Sequence, residues 1–142
     1  MAIIKIIPGD QILSTAKNIV RSTKKQLLLT MLLDIELETT NSGYLKLLEQ
    51  KHHQGIIIKR ICFGTVRDYE SALKKFKFPK QQGYTTKLCP DINLAQRLLI
   101  SDNKAMIFAV YTNNIDKVVC YTENRLIIKG FIDYFNRLFV KI

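Results

Sequence analysis

The residues with usable chemistry in this sequence are mostly cationic, and they cluster. Lys74, Lys75, Lys77, Lys80 and Lys87 are interleaved with Phe76, Phe78 and Tyr84. Lysines neutralise phosphates and aromatic faces stack bases, so this mixture suits a nucleic-acid or anionic-phospholipid surface. Arg67 follows the β-branched run 56–64, and ligands of α/β sheets gather outside the carboxyl ends of parallel strands. Arg97 sits in AQRLLISD (95–102). If that segment is a strand, alternation puts Ala95 and Arg97 on one face and Leu94, Leu98 and Ile100 on the other. Arg67, Lys74, Lys75 and Arg97 are then candidates for one basic groove. The alternatives are structural: a solvated helix end with Phe76 and Phe78 turned inward, and a strand arginine paired with a carboxylate. Asp102, beside Asn103, is also accounted for by a hairpin turn alone.

Other candidates are weaker. His52 and His53 are the only histidines; as neighbours on a helix they face different ways, and cations near a helix end favour the macrodipole. Asp34, Glu36 and Glu38 share a face if extended and then present oxygen ligands to a divalent cation; a solvated loop explains them as well. Cys62, Cys89 and Cys120 are odd in number and widely spaced. They predict neither a disulfide framework nor a zinc site, and they fit a reducing cytoplasm. Neither G-x-G-x-x-G nor GK[ST] occurs, so no metal or cofactor is expected.

These residues need elements to position them. The 142 residues fit one domain, 1–142, with 47% hydrophobic and 24% charged residues, globular averages that exclude disorder and coiled coil. No apolar run is long enough to span a membrane, and the N-terminal apolar stretch, broken by Lys5 and Pro8, does not read as a signal peptide. The formal charge of +10 divides into +1, +7 and +2 over residues 1–50, 51–100 and 101–142. Asp10 is placed to cap a helix over 11–25, with Ile12, Ala16, Ile19 and Val20 on one face. LLLTMLLD (27–34) reads as a buried strand, IELETTNSG as a loop, 44–53 as a helix and 56–64 as the next strand, a βαβ unit. A helix over 68–76 and strands over 84–89, 93–101, 105–111 and 118–122 follow. A long amphipathic C-terminal helix from Glu123 closes the order α-β-α-β-α-β-β-β-β-α. The fold class is α/β, a mixed sheet flanked by helices.

Here the sequence resembles the phospholipase D superfamily. That family's signature is His-x-Lys-x-x-x-x-Asp, followed six residues later by Gly-Ser-x-Asn. On this chain Ala95 takes the His place, Arg97 the Lys place and Asp102 the Asp place. Ala109, Val110 and Thr112 take the Gly, Ser and Asn places, with Asn113 one residue away. The element order also resembles one lobe of the superfamily. The resemblance implies that the His nucleophile, and with it the covalent route, is missing at Ala95. It implies that Arg97 still clamps phosphate oxygens bidentately, with Thr112 or Asn113 beside it. Because the family pairs two lobes across a pseudo-twofold axis, a one-lobe chain is expected to be a homodimer.

The resulting expectation is a non-catalytic phospholipase D-like domain that binds an anionic phosphodiester, nucleic acid first. The alternatives are a phosphoinositide or anionic-lipid headgroup binder, and a ligand-sensing or dimerisation module of a regulatory complex. A nuclease working through His52 or His53 is the enzymatic rival.

Overall fold

A computed structural model describes residues 3–111 and 117–142. Seven strands form one mixed sheet in the order β1-β7-β6-β5-β2-β3-β4. They are β1 (Ile4–Ile6), β2 (Gln26–Leu32), β3 (Ile57–Phe63), β4 (Tyr84–Cys89), β5 (Leu98–Ser101), β6 (Ala105–Tyr111) and β7 (Lys117–Thr122). β2, β3 and β4 run parallel, and β5, β6, β7 and β1 extend the sheet antiparallel from β2. The helices are α1 (Ile12–Ser22), α2 (Leu33–Thr39), α3 (Ser42–His53), α4 (Val66–Phe76) and α5 (Arg125–Lys141).

The two faces of the sheet carry separate cores. On one, Leu27, Leu29, Met31, Ile58, Cys62, Leu99 and Ile107 pack against α1 through Ile19 and Val20, α3 through Leu48 and α4 through Ala72. On the other, Leu28, Ile61, Phe63, Ile100 and Phe108 pack against Ile128, Phe135 and Leu138 of α5. β2 and β3 therefore bury both of their faces, which is why each reads as a continuous apolar run. α5 is started by Asn124, whose Oδ1 accepts from Leu126 N and Ile127 N at 3.1 Å, a cap worth about 1 kcal/mol.

Three elements differ from the sequence expectation. Residues 33–39 are helical, where the sequence reads the end of a strand at 33–34 and a loop from 35. Leu33 is fully buried, Leu37 packs on the same core one turn later, and Glu36 reaches back to accept Leu32 N at 2.6 Å. β3 ends at Gly64 beside this helix; a Cβ there would sit 2.9 Å from Leu33 Cβ, so only glycine permits the approach. The first helix starts at Ile12 after a 3-10 turn (Gly9–Gln11), and Asp10 lies inside that turn without capping α1. β1, unforeseen, pairs Ile4 with Thr122 and Ile6 with Cys120.

The fourth difference matters most for the site. β5 is only Leu98–Ser101; Ile92–Leu94 is a 3-10 turn and 95–97 lie outside the ladder. The Thr30 hydroxyl causes this. It donates to Gln96 O at 2.6 Å and accepts Leu98 N at 2.9 Å, standing between β2 and β5 where direct strand bonds would form. Gln96 Nε2 then donates to Ala109 O at 2.8 Å. The alternation assumed for 95–97 fails as a result: Ala95 packs with the α5-side core, whereas Arg97 lines a cavity on the opposite side of the sheet.

Candidate functional site

Arg97 is set at the head of β5 and Glu36 on α2, directly after the carboxyl end of β2. Arg97 Nη2 lies 3.2 Å from Glu36 Oε1, the one ion pair among the described residues. Both side chains are mostly withdrawn from solvent, at 23% and 16% exposure. Burial raises the Glu36 carboxyl above its ordinary value; Arg97, the Leu32 N–H and Lys117 pull the other way without reversing it. The ion pair is therefore not an idle surface contact: Arg97 favours the charged carboxylate while burial disfavours it, and burial is the larger effect.

The pair borders a cavity of about 440 Å³ between the sheet and α1, α2 and α3. Its aliphatic wall comes from Ile12, Leu13, Leu29, Met31, Leu45 and Val119. Its polar wall adds Tyr44, Arg60 and Lys117. Burial pushes the Tyr44 hydroxyl up, so it stays a neutral phenol. Lys117 is lowered by burial and then by the Arg97 charge.

Arg60, in the middle of β3, is fully buried. Its guanidinium lies 4.1 Å from the centroid of Phe78 and donates to Tyr84 Oη at 3.0 Å and to Thr86 Oγ1 at 3.3 Å. Its Nε is the one buried side-chain polar atom without a partner among the described residues. No carboxylate pairs with it there. The ring stack and two hydroxyls compensate part of the desolvation of the cation, and the rest is uncompensated.

The expected site residues separate. Phe78 and Tyr84, expected on a binding surface, are 7% and 3% exposed and enclose Arg60 instead. They have no free face for a base. Lys87 is half-buried under α5, 4.3 Å from the Phe139 ring centroid and donating to Phe139 O. Lys75 donates to Leu37 O. Lys74, Lys77 and Lys80 are exposed around the end of α4, and Arg67 is exposed in its first turn. Arg67 does not line the Arg97 cavity, so the two do not form one groove wall. Thr112 and Asn113 lie outside the described residues.

Asp102 has a structural role at the other end of β5 from Arg97. With Asn103 it makes the hairpin turn at positive φ, 53° and 59°. Its carboxylate accepts Lys24 N, Lys25 N and Gln26 N at 2.7, 2.8 and 2.9 Å, anchoring the start of β2. Helical geometry disperses the acidic trio: Glu36 turns inward while Asp34 and Glu38 are exposed. Among the described residues no three His, Cys, Asp or Glu side chains converge as metal ligands. His52 is held by Ile56 O and Gln81 Oε1 at 3.3 and 3.1 Å, edge-on to Tyr84. Cys62, Cys89 and Cys120 are buried free thiols, and burial pushes Cys62 up to about 12.

Arg60 and Lys117 were missed in the sequence. A lone arginine inside IIIKRICF was the available signal, since a strand with both faces buried leaves a charged residue no route to water. Lys117 carried no comparable mark.

This arrangement has a phospholipase D-like fold: mixed sheet, crossover helices on one face, and a long closing helix on the other. The structure matches TrmBL2, described as an archaeal chromatin protein with a novel mode of DNA binding, at a TM-score of 0.75 and 14% identity, over 99% of this chain. It matches Nuc, a phospholipase D family member from Salmonella typhimurium, at a TM-score of 0.66 and 10% identity, over 94% of this chain and 90% of Nuc. The chain spans 53% of the TrmBL2 chain, about half its length. No protein-family model and no curated protein matches the sequence. No helix among the described residues is long and apolar enough to cross a membrane.

Proposed function

We propose that this chain is a non-catalytic phospholipase D-like module that binds nucleic acid through its exposed cations. The observation that carries the reading is the likeness, along nearly the whole chain, to a DNA-binding chromatin protein. The net charge of +10 supports it, because phosphate neutralisation supplies most sequence-independent affinity. Arg67, Lys74, Lys77 and Lys80 are exposed and are the members of the basic set assigned to phosphates; Lys75 is exposed too but donates to Leu37 O. Arg97 is given no backbone contact, because it faces a cavity and pairs with Glu36. The non-catalytic reading is supported by Ala95, which has no nucleophile and packs toward α5, and by His52 and His53, neither of which lines the Arg97 cavity. The module acts as a homodimer in a reducing cytoplasm, in keeping with three buried free thiols.

The test is fluorescence anisotropy with labelled single-stranded and duplex DNA at two salt concentrations. Affinity is expected to fall steeply with salt, by about 0.7 log unit per log salt for each phosphate contacted on single strands. Replacing Lys74, Lys77 and Lys80 together by Glu is expected to flatten that slope by about 2. No binding at low salt, or an unchanged slope in the variant, refutes the surface assigned here. Sedimentation with anionic but not neutral vesicles, without oligonucleotide binding, assigns the surface to lipid headgroups instead.

A further inference from the structure

The cavity beside Arg97 is distinct from the exposed lysines, and nothing in the nucleic-acid reading uses it. Its volume of about 440 Å³ lies within the range of pockets that hold small organic molecules. Most of its wall is aliphatic, so the body of a ligand there must be largely apolar. The charged wall is unbalanced: Arg60, Arg97 and Lys117 face the single carboxylate of Glu36. Arg97 spends one nitrogen on Glu36. Arg60 has a buried Nε–H with no acceptor, and no carboxylate pairs with its charge among the described residues. Buried donors are almost always satisfied, and Arg60, a residue of the cavity wall, carries one that is not, so its charge favours an acceptor brought in beside Arg97. A planar carboxylate accepts from guanidinium N–H groups in matched geometry.

We infer that this cavity binds a small amphipathic carboxylate, its carboxylate held by Arg97 and Arg60 and its apolar body against α1 and β2. The chain then carries two separable binding functions, an outer cationic surface and an inner organic-acid pocket. The pocket lies under α1, α2 and α3, so a bound acid ties three helices to one sheet face.

The experiment uses the full chain and two pairs of probes: sodium octanoate with 1-octanol, and sodium benzoate with benzyl alcohol. Titration calorimetry and thermal unfolding are recorded at matched ionic strength. Saturable binding of at least one carboxylate is expected, with a rise in melting temperature that grows with ligand concentration as linkage requires. The matching alcohol is expected to bind at least about tenfold more weakly, since it offers no charge to the guanidinium groups. Arg97→Gln is expected to weaken the carboxylate by about tenfold or more. Arg60→Met keeps the bulk against Phe78 and is expected to weaken it as well; because Arg60 is buried, Arg97→Gln decides the matter if that variant does not fold. Alcohols binding as tightly as carboxylates, an unchanged affinity in Arg97→Gln, or no saturable binding of either carboxylate at millimolar concentration overturns the inference. Oligonucleotide affinity, read on the same samples, separates failure here from failure of the nucleic-acid reading.

Discussion

Replacing Asp102 by Asn tests whether this residue is a structural anchor or a relic of catalysis. Oδ1 accepts Lys25 N and Gln26 N, and Oδ2 accepts Lys24 N. In the Asp102→Asn variant the amide oxygen can keep the Oδ1 pair, but the amide nitrogen meets the Lys24 N–H donor to donor. One bond is lost and two lose their charge assistance. Hydrogen bonds to charged groups contribute about 1.5–3 kcal/mol and neutral ones about 0.5–1.5. Lys24 and Lys25 are exposed, so their N–H groups rehydrate and each bond is taken at about 1 kcal/mol with the carboxylate and about 0.5 kcal/mol with a neutral amide. The expected loss is about 2 kcal/mol for Asp102→Asn. Asp102→Ala removes all three bonds and adds about 1 kcal/mol for an alanine at positive φ, so about 4 kcal/mol is expected. The effect must also depend on pH. Burial by itself raises the Asp102 carboxyl, but the three N–H donors and Lys104 outweigh it and hold the group below its ordinary value. Between the folded and unfolded values the unfolded chain binds more protons, so stability from this group rises with pH there. The contribution is complete above about pH 4 and is lost as pH falls through the folded value. Urea unfolding of the wild type and Asp102→Asn, from about pH 7 down to about pH 3, should show a gap that narrows at the acid end. A gap under about 0.5 kcal/mol at neutral pH, or one independent of pH, refutes the anchoring role.

Glu36 titrates with the opposite sign. Its raised carboxyl makes the folded state bind the extra proton, so this group lowers stability as pH rises above about 4.3. Glu36→Gln keeps an oxygen for Leu32 N and is expected to flatten that fall in a melting-temperature profile; a steeper fall contradicts the assignment. Phe78→Ala is expected to cost about 3–5 kcal/mol in chemical unfolding while the folded protein keeps its oligonucleotide affinity. Lost affinity with unchanged stability would return Phe78 to the binding surface. Ala95→His is expected to yield no phosphodiesterase activity on a chromogenic diester, because the side chain is directed to the α5 core. Turnover lost again in Ala95→His/Arg97→Gln would show that the two positions share a site.

The sequence made the central sheet legible because its strands carry unmistakable patterns. LLLTML and IIKRICF are buried on both faces, and the amphipathic run from Leu126 to Leu138 needed only one sheet face to cover. What it hid were cases where a side chain overrides a local pattern. Segment 95–97 has strand character, but the Thr30 hydroxyl, distant in sequence, takes its ladder bonds. Residues 33–39 look like an acidic loop unless Leu33 and Leu37 are read as one helical face and Glu36 as turned inward. Ile4–Ile6 is too short to declare itself and exists because β7 offers an edge. At the site, Arg97 is legible as a phosphate clamp or as an arginine paired with a carboxylate, and the carboxylate it meets, Glu36, is grouped in the sequence with the wrong neighbours. The aromatics near the lysines were read as surface because composition does not say which way a ring points. Phe78 and Tyr84 turn inward to Arg60, whose burial follows from the two-sided strand that carries it.

The separation of the sheet into two cores has a consequence for the order in which the chain becomes whole. The face covered by α1, α3 and α4 is begun by segments that are neighbours along the chain, through the parallel crossovers of β2, β3 and β4, and is completed by Leu99 and Ile107. The opposite face waits for α5, which follows every strand, and β1 waits for β7. During synthesis Leu28, Ile61, Phe63, Ile100 and Phe108 are therefore made well before the helix that shelters them. Pairings between distant segments close slowly, and exposed apolar strands invite association in the meantime. Until α5 is made the second face has no helix to cover it, and the high positive charge of the chain works against self-association.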